Sequence, residues 1–277
     1  MPPAAGLRIL HLSDTHLFGN GTLHYGVVDT TAALEAVLAA AAGLARLDVV
    51  VASGDLSDDG TPASYRLLGD RLEPFAAARG ARVLYAMGNH DDRAGFAEVL
   101  GDPFGVAEIG GVRFVVLDST VPGAGYGRLD GKQLDLLAGV LRTPAPRGTV
   151  VVLHHPPVPA ATPLLRALEL QNPADLAELV AGTDVRLVLA GHYHHLLVDR
   201  LAGVPVVVAP GTANTTDFLA PEGCERAHVG AGAVLIELAG ADGLRVTPVR
   251  AQLPDDGRQV FSVGPEEVAR IAAVAGP

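Results

Sequence analysis

Residues 186–195 read RLVLAGHYHH, an apolar run closed by a glycine and followed by three histidines in four positions. The whole chain of 277 residues holds ten histidines, so the crowding is local, and it follows a segment that reads as a buried strand. The pattern recurs. LRILHL (7–12) is followed by Ser13, Asp14, Thr15 and His16, and DVVVAS (48–53) by Gly54, Asp55, Leu56, Ser57 and Asp58. ARVLYAM (81–87) runs into Gly88, Asn89, His90 and Asp91, and TVVVL (149–153) into His154, His155, Pro156 and Pro157. Five strand-like runs therefore end in turns carrying Asp, Asn or His. Ligands of open α/β sheets collect at the carboxyl ends of strands, so these five turns are expected to converge on one site.

Helical patterns lie between the strands. Residues 32–47 place Leu34, Val37, Leu38, Ala41 and Ala45 on one helical face. Thr61 and Pro62 read as an N-cap and first-turn proline of a helix reaching about Gly80, with Pro74 bending or breaking it. Residues 132–141 have a helical period, Asn172 caps a helix opened by Pro173 and ending near Gly182, and Pro265 starts a last helix within 262–275. Residues 108–118 read as a hairpin turning at Gly110 and Gly111, 204–209 as a strand, and 231–250 as a C-terminal hairpin. This alternation predicts an α/β fold. With no repeat, low-complexity tract or linker, one layered domain over 1–277 is the simplest organisation, with 231–277 packed on or beside the core.

Composition narrows the function classes. The chain is 49% hydrophobic and 18% charged, as a folded domain is, with 33 glycines and 20 prolines for its turns. A formal charge of −11 and no basic cluster leave no footprint for nucleic acid or an anionic membrane. Tryptophan is absent, which argues against a base-stacking platform. The single cysteine, Cys224, excludes an intrachain disulfide and a thiolate cluster, and fits a cytoplasmic setting. The opening MPPAAGLRILHLSD does not read as a signal peptide. The most apolar window, 31–52, is interrupted by Glu35, Arg46 and Asp48 and reads as helix plus strand, not a transmembrane segment.

Histidines with a few carboxylates and no thiolate suit Zn, Mn or Fe better than Ca or an iron–sulfur cluster. In extended backbone, His192 and His194 would face one side and His195 the other. Two side chains converging from that separation suit two metals about 3.5–4 Å apart, the spacing of a two-metal hydrolytic site.

The ordered blocks D-x-H, G-D-x-x-D, G-N-H-D, a later His and G-H-x-H span residues 14–194. Together they resemble the calcineurin-like metallophosphoesterase superfamily, and LSDTHL, GNHDD and HHPP are most similar to bacterial class III cyclic-nucleotide phosphodiesterases. The resemblance implies an αββα sandwich of two mixed sheets flanked by helices. It implies Asp14, His16 and His194 as ligands of a first metal, Asn89, His154 and His192 of a second, and Asp55 as the bridge. His90 matches the catalytic histidine that contacts the phosphoryl group. Asp58 is in register with an aspartate that orients that histidine, or else caps the turn before Thr61. Two divalent ions outweigh the two carboxylates, so an acidic chain would still attract an anionic phosphodiester. Hydroxide generated at the metals would attack phosphorus.

The implied substrate is a small-molecule phosphodiester, first a 3′,5′-cyclic nucleotide such as cAMP. Glycerophosphodiesters and 2′,3′-cyclic nucleotides are the enzymatic alternatives, and a non-catalytic interaction scaffold is the alternative of another class. Similar enzymes are often homodimers, but no interface is legible here. The rim of the site is expected from 18–26, 119–128, 156–172 and 213–228. Taken singly, Asp14 and Asp55 would be turn formers or caps and Asn89 a turn residue. His155 is expected beside the ligand set, His195 in a structural or rim role, and His11 in packing. Asp91 or Asp92 is expected to cap the next helix. No partner is legible for His24 or His228, and Cys224 reads as an ordinary thiol.

Overall fold

A computed structural model of the chain describes residues 6–240 and 243–277; residues 1–5, on which the leader reading partly rests, and 241–242 lie outside it. The chain runs β1 (Leu7–Leu12), α1 (Thr30–Ala40), β2 (Val49–Ser53), α2 (Pro62–Ala77), β3 (Arg82–Ala86) and α3 (Arg93–Leu100). It continues through β4 (Gly105–Ile109), β5 (Val112–Val116), α4 (Gly131–Leu141), β6 (Thr149–Val152), α5 (Pro163–Ala167), α6 (Pro173–Val180) and β7 (Val185–Ala190). Then come β8 (Leu197–Leu201), β9 (Val204–Val208), β10 (Thr215–Thr216), β11 (Glu225–His228), β12 (Gly232–Ala239), β13 (Gly243–Arg250), β14 (Gln259–Val263) and α7 (Pro265–Ala275).

Two mixed sheets face each other. One has the order β13-β12-β1-β2-β3 and the other β4-β5-β6-β7-β9-β8. Strand alternation explains the layers. Leu7 and Ile9 of β1, Val49 and Val51 of β2, Val150 and Val152 of β6, and Leu187 and Leu189 of β7 fill the space between the sheets. The alternate residues turn outward. Leu10, Leu12, Val50 and Ala52 meet Leu34 and Val37 of α1 and Leu68 and Leu72 of α2. Val151, Val188 and Ala190 meet Leu137 of α4 and Leu176 and Val180 of α6. Each such burial is worth roughly 1.5–3 kcal/mol, and strands buried on both faces read as unbroken apolar runs. The fold is thus the expected layered one, two mixed sheets flanked by helices.

Several expectations need correction. The helix read over 32–47 spans only α1: Asp29 caps its start, and the chain turns at residues 41–43 to reach β2. Pro74 lies inside α2 without ending it. Asn172 precedes α6 but makes no capping bond; its side chain instead accepts from Leu129 N and donates to Leu129 O. Sequence reading overlooked β8, and also the small third sheet, β10-β11-β14, in which β14 covers Ser262 just before α7. The hairpin read over 231–250 is β12 and β13, and it joins the first sheet through antiparallel pairing of β12 with β1.

Candidate metal centre

β1, β2 and β3 are parallel in one sheet and β6 and β7 in the other, and their exit turns are stitched together. Asp14 N donates to Gly54 O, His16 N to Asp55 O, and Gly191 N to His154 O. Thr212 N and Ala213 N, after β9, donate to Ser13 O and Asp14 O and tie the second sheet to the first. The turns approach too closely for side chains at their glycines. A Cβ at Gly191 would overlap Ser13 Oγ and lie 2.9 Å from Asp14 Oδ2.

Left-handed backbone concentrates here. Among the described residues, seven non-glycines have positive φ, and five are expected site residues: Asp14 (55°), His16 (43°), Asp55 (48°), His192 (68°) and His194 (53°). Such conformations persist where surrounding structure enforces them, and they cluster at functional sites. They also correct the reason offered for the histidine spacing. Residues 191–195 do not form an extended strand; two left-handed residues aim His192 and His194 instead.

Among the described residues the candidate donors form three groups, two of which meet at Asp55. In one, His194 Nε2 lies 3.3 Å from Asp14 Oδ1 and 3.3 Å from His16 Nε2, and His16 Nε2 lies 3.8 Å from Asp55 Oδ2. In the other, His154 Nε2 lies 3.3 Å from the same Asp55 Oδ2 and clusters with His192. The outer nitrogen of each ring has its own acceptor: Asp58 Oδ1 for His16 Nδ1 at 2.9 Å, Ser53 O for His154 Nδ1 at 2.8 Å, Leu168 O for His192 Nε2 at 3.0 Å, and Asn214 O for His194 Nδ1 at 3.4 Å. A ring that donates outward keeps a lone pair inward, the usual support of a metal-bound imidazole. His154 Nε2 is buried without a hydrogen-bond partner of good geometry, and so is Asn89 Oδ1 in the turn after β3. Converging acceptors without donors call for cations, and nitrogen with carboxylate donors suits first-row ions. The clusters fit a dinuclear metal site.

The charge states agree. Burial pushes His16 and His194 down to about 4 and His192 well below its usual value, keeping them neutral. Burial pushes Asp14 up to about 6. Burial also opposes charge on Asp55 and His154, but their mutual attraction outweighs it, holding Asp55 well below the carboxylate range and raising His154 to about 9. Without a cation, a proton occupies that pair.

His90 stands apart from the inward donors, with its side chain 44% exposed. Its backbone N–H donates to Asp55 Oδ1 at 2.9 Å, and its Nδ1 lies 3.1 Å from Asp58 Oδ1. Burial opposes its charge, but Asp55 and the Asp58 bond outweigh burial and raise it to about 9. The helix start after Asp58 belongs to other residues: Thr61 caps α2, and Asp59 Oδ1 accepts from Thr61 N. Asp92 caps α3, whereas Asp91 accepts from Leu56, Ser57 and Gly88 N–H groups and ties two of the turns together.

The remaining histidines separate by their partners. Both nitrogens of His155 are engaged, Nδ1 with Ser119 Oγ at 2.8 Å and Nε2 with Gly125 O at 3.2 Å, although the ring lies in the same cluster as His154 and His192. His195 turns away, its Nδ1 bonded to Tyr193 O and its ring against Phe218. His11 packs between the sheets on Ser53 Oγ. His228 lies 3.9 Å from Asp217. The supports Ser53, Leu168 and Asn214 escaped sequence reading because each acts through a backbone carbonyl, which leaves no mark on residue type.

The family model for calcineurin-like phosphoesterases matches residues 7–196, the stretch holding all five turns. The chain belongs to the calcineurin-like phosphoesterase family. This phosphoesterase is 44% identical over 238 residues to a cAMP/cGMP dual specificity phosphodiesterase of Mycobacterium tuberculosis, covering 83% of this chain and 74% of that one. It is 34% identical over 235 residues to the 3′,5′-cyclic adenosine monophosphate phosphodiesterase CpdA of Pseudomonas aeruginosa, covering 78% and 84%. Its fold is similar to that of a purple acid phosphatase from yellow lupin (Lupinus luteus) seeds, with a TM-score of 0.63 at 14% identity; the match covers 99% of this phosphoesterase and 57% of the lupin chain. Among the described residues, no helix of the phosphoesterase is long and apolar enough to cross a membrane.

Proposed function

We propose that this phosphoesterase hydrolyses 3′,5′-cyclic nucleotides such as cAMP at a two-metal centre. The observation that carries the metal centre is the inward convergence of donors whose outer nitrogens are already committed. Two relatives named as cyclic-nucleotide phosphodiesterases support the substrate class. In this reading Asp14, His16 and His194 would hold one ion and Asn89, His154 and His192 the other, with Asp55 available to both. The ions are Fe, Mn or Zn. When bound, they supply Lewis acidity toward phosphoryl oxygens and activate water for in-line attack on phosphorus.

The chain's own residues do the rest. Asp58 accepts the Nδ1 proton of His90 and fixes the ring, so Nε2 faces the substrate. His90 Nε2–H stabilises a phosphoryl oxygen and gives its proton to the departing ribose oxygen. One P–O ester bond breaks, one P–O bond to the water oxygen forms, and a nucleoside monophosphate leaves. With one cysteine and a small intracellular messenger as substrate, we place the enzyme in the cytoplasm.

The test is a substrate panel on metal-reconstituted protein: 3′,5′-cAMP, 3′,5′-cGMP, 2′,3′-cAMP, glycerophosphocholine and p-nitrophenyl phosphate. The 3′,5′-cyclic nucleotides should lead in kcat/KM by about 10-fold or more. Turnover of the monoester alone would overturn the reading.

A further inference from the structure

The segment 18–28 carries a histidine that neither the motif blocks nor the metal centre uses. His24 is buried, with 3% of its surface exposed. A tight turn fixes it: Val27 N and Val28 N both donate to His24 O, and His24 N donates back to Val28 O. Tyr25 and Gly26 in that turn have φ of 51° and 68°. The His24 ring lies on the His16 ring, with centroids 4.7 Å apart.

Its hydrogen bonds define its direction. Nε2 lies 3.1 Å from Asn214 Nδ2. An amide nitrogen only donates, so Nε2 accepts and the ring proton sits on Nδ1. That Nδ1 is buried without a hydrogen-bond partner and faces Asp58 Oδ2 at 3.6 Å, just beyond hydrogen-bond length. The opposite amide orientation would aim a lone pair at a carboxylate.

Asp58 therefore meets three imidazoles. Its Oδ1 accepts from His16 Nδ1 at 2.9 Å and lies 3.1 Å from His90 Nδ1, and its Oδ2 faces His24. His16 and His90 both face Oδ1, so neither reaches the other carboxylate oxygen. His24 restrains the other oxygen. Asn214 closes the circuit, because its amide holds His24 while its backbone oxygen accepts from His194 Nδ1.

We propose that His24, fixed by Asn214, is a positioning residue that locks the Asp58 carboxylate in the rotation that orients His90. This rests on His90 acting at the substrate, so His90→Asn, assayed in parallel, tests that reading alone.

The experiment is a double-mutant cycle of His24→Leu with Asp58→Asn, reading kcat, KM and bound metal per chain. His24→Leu should lower kcat about 10-fold with KM nearly unchanged and metal content retained, since supporting partners of this kind are worth about 10–100-fold. In the Asp58→Asn background the same change should cost less than about twofold, because the group it positions is gone. His24→Gln, whose amide can donate to Asp58, should recover part of the loss. Asn214→Ala, which keeps the backbone acceptor of His194, should show the same coupling and serves if His24→Leu does not fold. An undiminished loss in the Asp58→Asn background overturns the proposal. So does a loss of activity matched by a loss of metal, or no loss at all. If His90→Asn turns over normally, the catalytic reading fails instead.

Discussion

Nε2 of His16 and Nε2 of His194 lie 3.3 Å apart, although 178 positions separate them in the chain. Each ring donates from its other nitrogen, so two lone pairs face each other, with Asp14 Oδ1 also 3.3 Å from His194 Nε2. That arrangement repels itself until a cation enters. The metal-free protein should be inactive, and saturation with Mn, Zn or Fe(II) should raise its melting temperature by roughly 5–10 °C. Identical melting in chelator and in saturating metal would contradict this.

Asp55 Oδ2 faces His16 on one side and His154 on the other. Its removal should affect both ions, where loss of a ligand to one would spare the other. Asp55→Ala is expected to bind less than one metal per chain by elemental analysis and to lose more than about 100-fold in kcat/KM. Two retained metals would dismiss the bridging role.

His90 contributes only its backbone N–H to Asp55, and its ring groups with His16 and Asp58 rather than with Asp14, Asp55 and His194. His90→Ala should therefore keep its metals while kcat falls about 10²–10⁴-fold. A parallel fall in metal content would move His90 into the ligand set.

Acid should unfold the protein through histidines outside the proposed ligand set. Burial pushes both His11 and His155 down to about 3. Unfolded imidazoles titrate near 6.5. Because the folded values are depressed, the stability these rings confer is complete above about pH 6.5 and is lost as pH falls toward 3. Thermal melts of the wild type should decline across that window, and more steeply than those of His11→Asn. Parallel slopes would rule out this source.

Gly191 admits no side chain between His154 and Ser13. Gly191→Ala should cost about 1–3 kcal/mol and weaken metal binding, because Asp14 and the His192 backbone must separate. An unchanged denaturant midpoint would show that the turns can yield.

Four of the five strands bearing the turns were legible because they are buried on both faces and leave continuous apolar runs, whereas β3 is a partly buried edge strand marked by its run Val83, Leu84, Tyr85 and Ala86. The strand-end turns rich in His, Asp and Asn were legible as a converging group, while the assignment of each donor to an ion came from the family resemblance. Less legible were β8, whose middle residues Val198, Asp199 and Arg200 are all exposed, and the third sheet, which includes strands of two and four residues. His24 and Asn214 were opaque because a contact across 190 positions exists only after folding. The direction of His194 was legible, but not the left-handed backbone that produces it.

That backbone has a consequence for engineering. At Asp14, His16, Asp55, His192 and His194 the main chain adopts a shape that glycine would take most cheaply, while the proposed metal centre depends on the side chain. Backbone and chemistry compete for the same five positions, so no substitution there can improve one without sacrificing the other. A more heat-resistant version must be sought in the outer layers, where α1 and α2 cover one sheet and α4 and α6 the other.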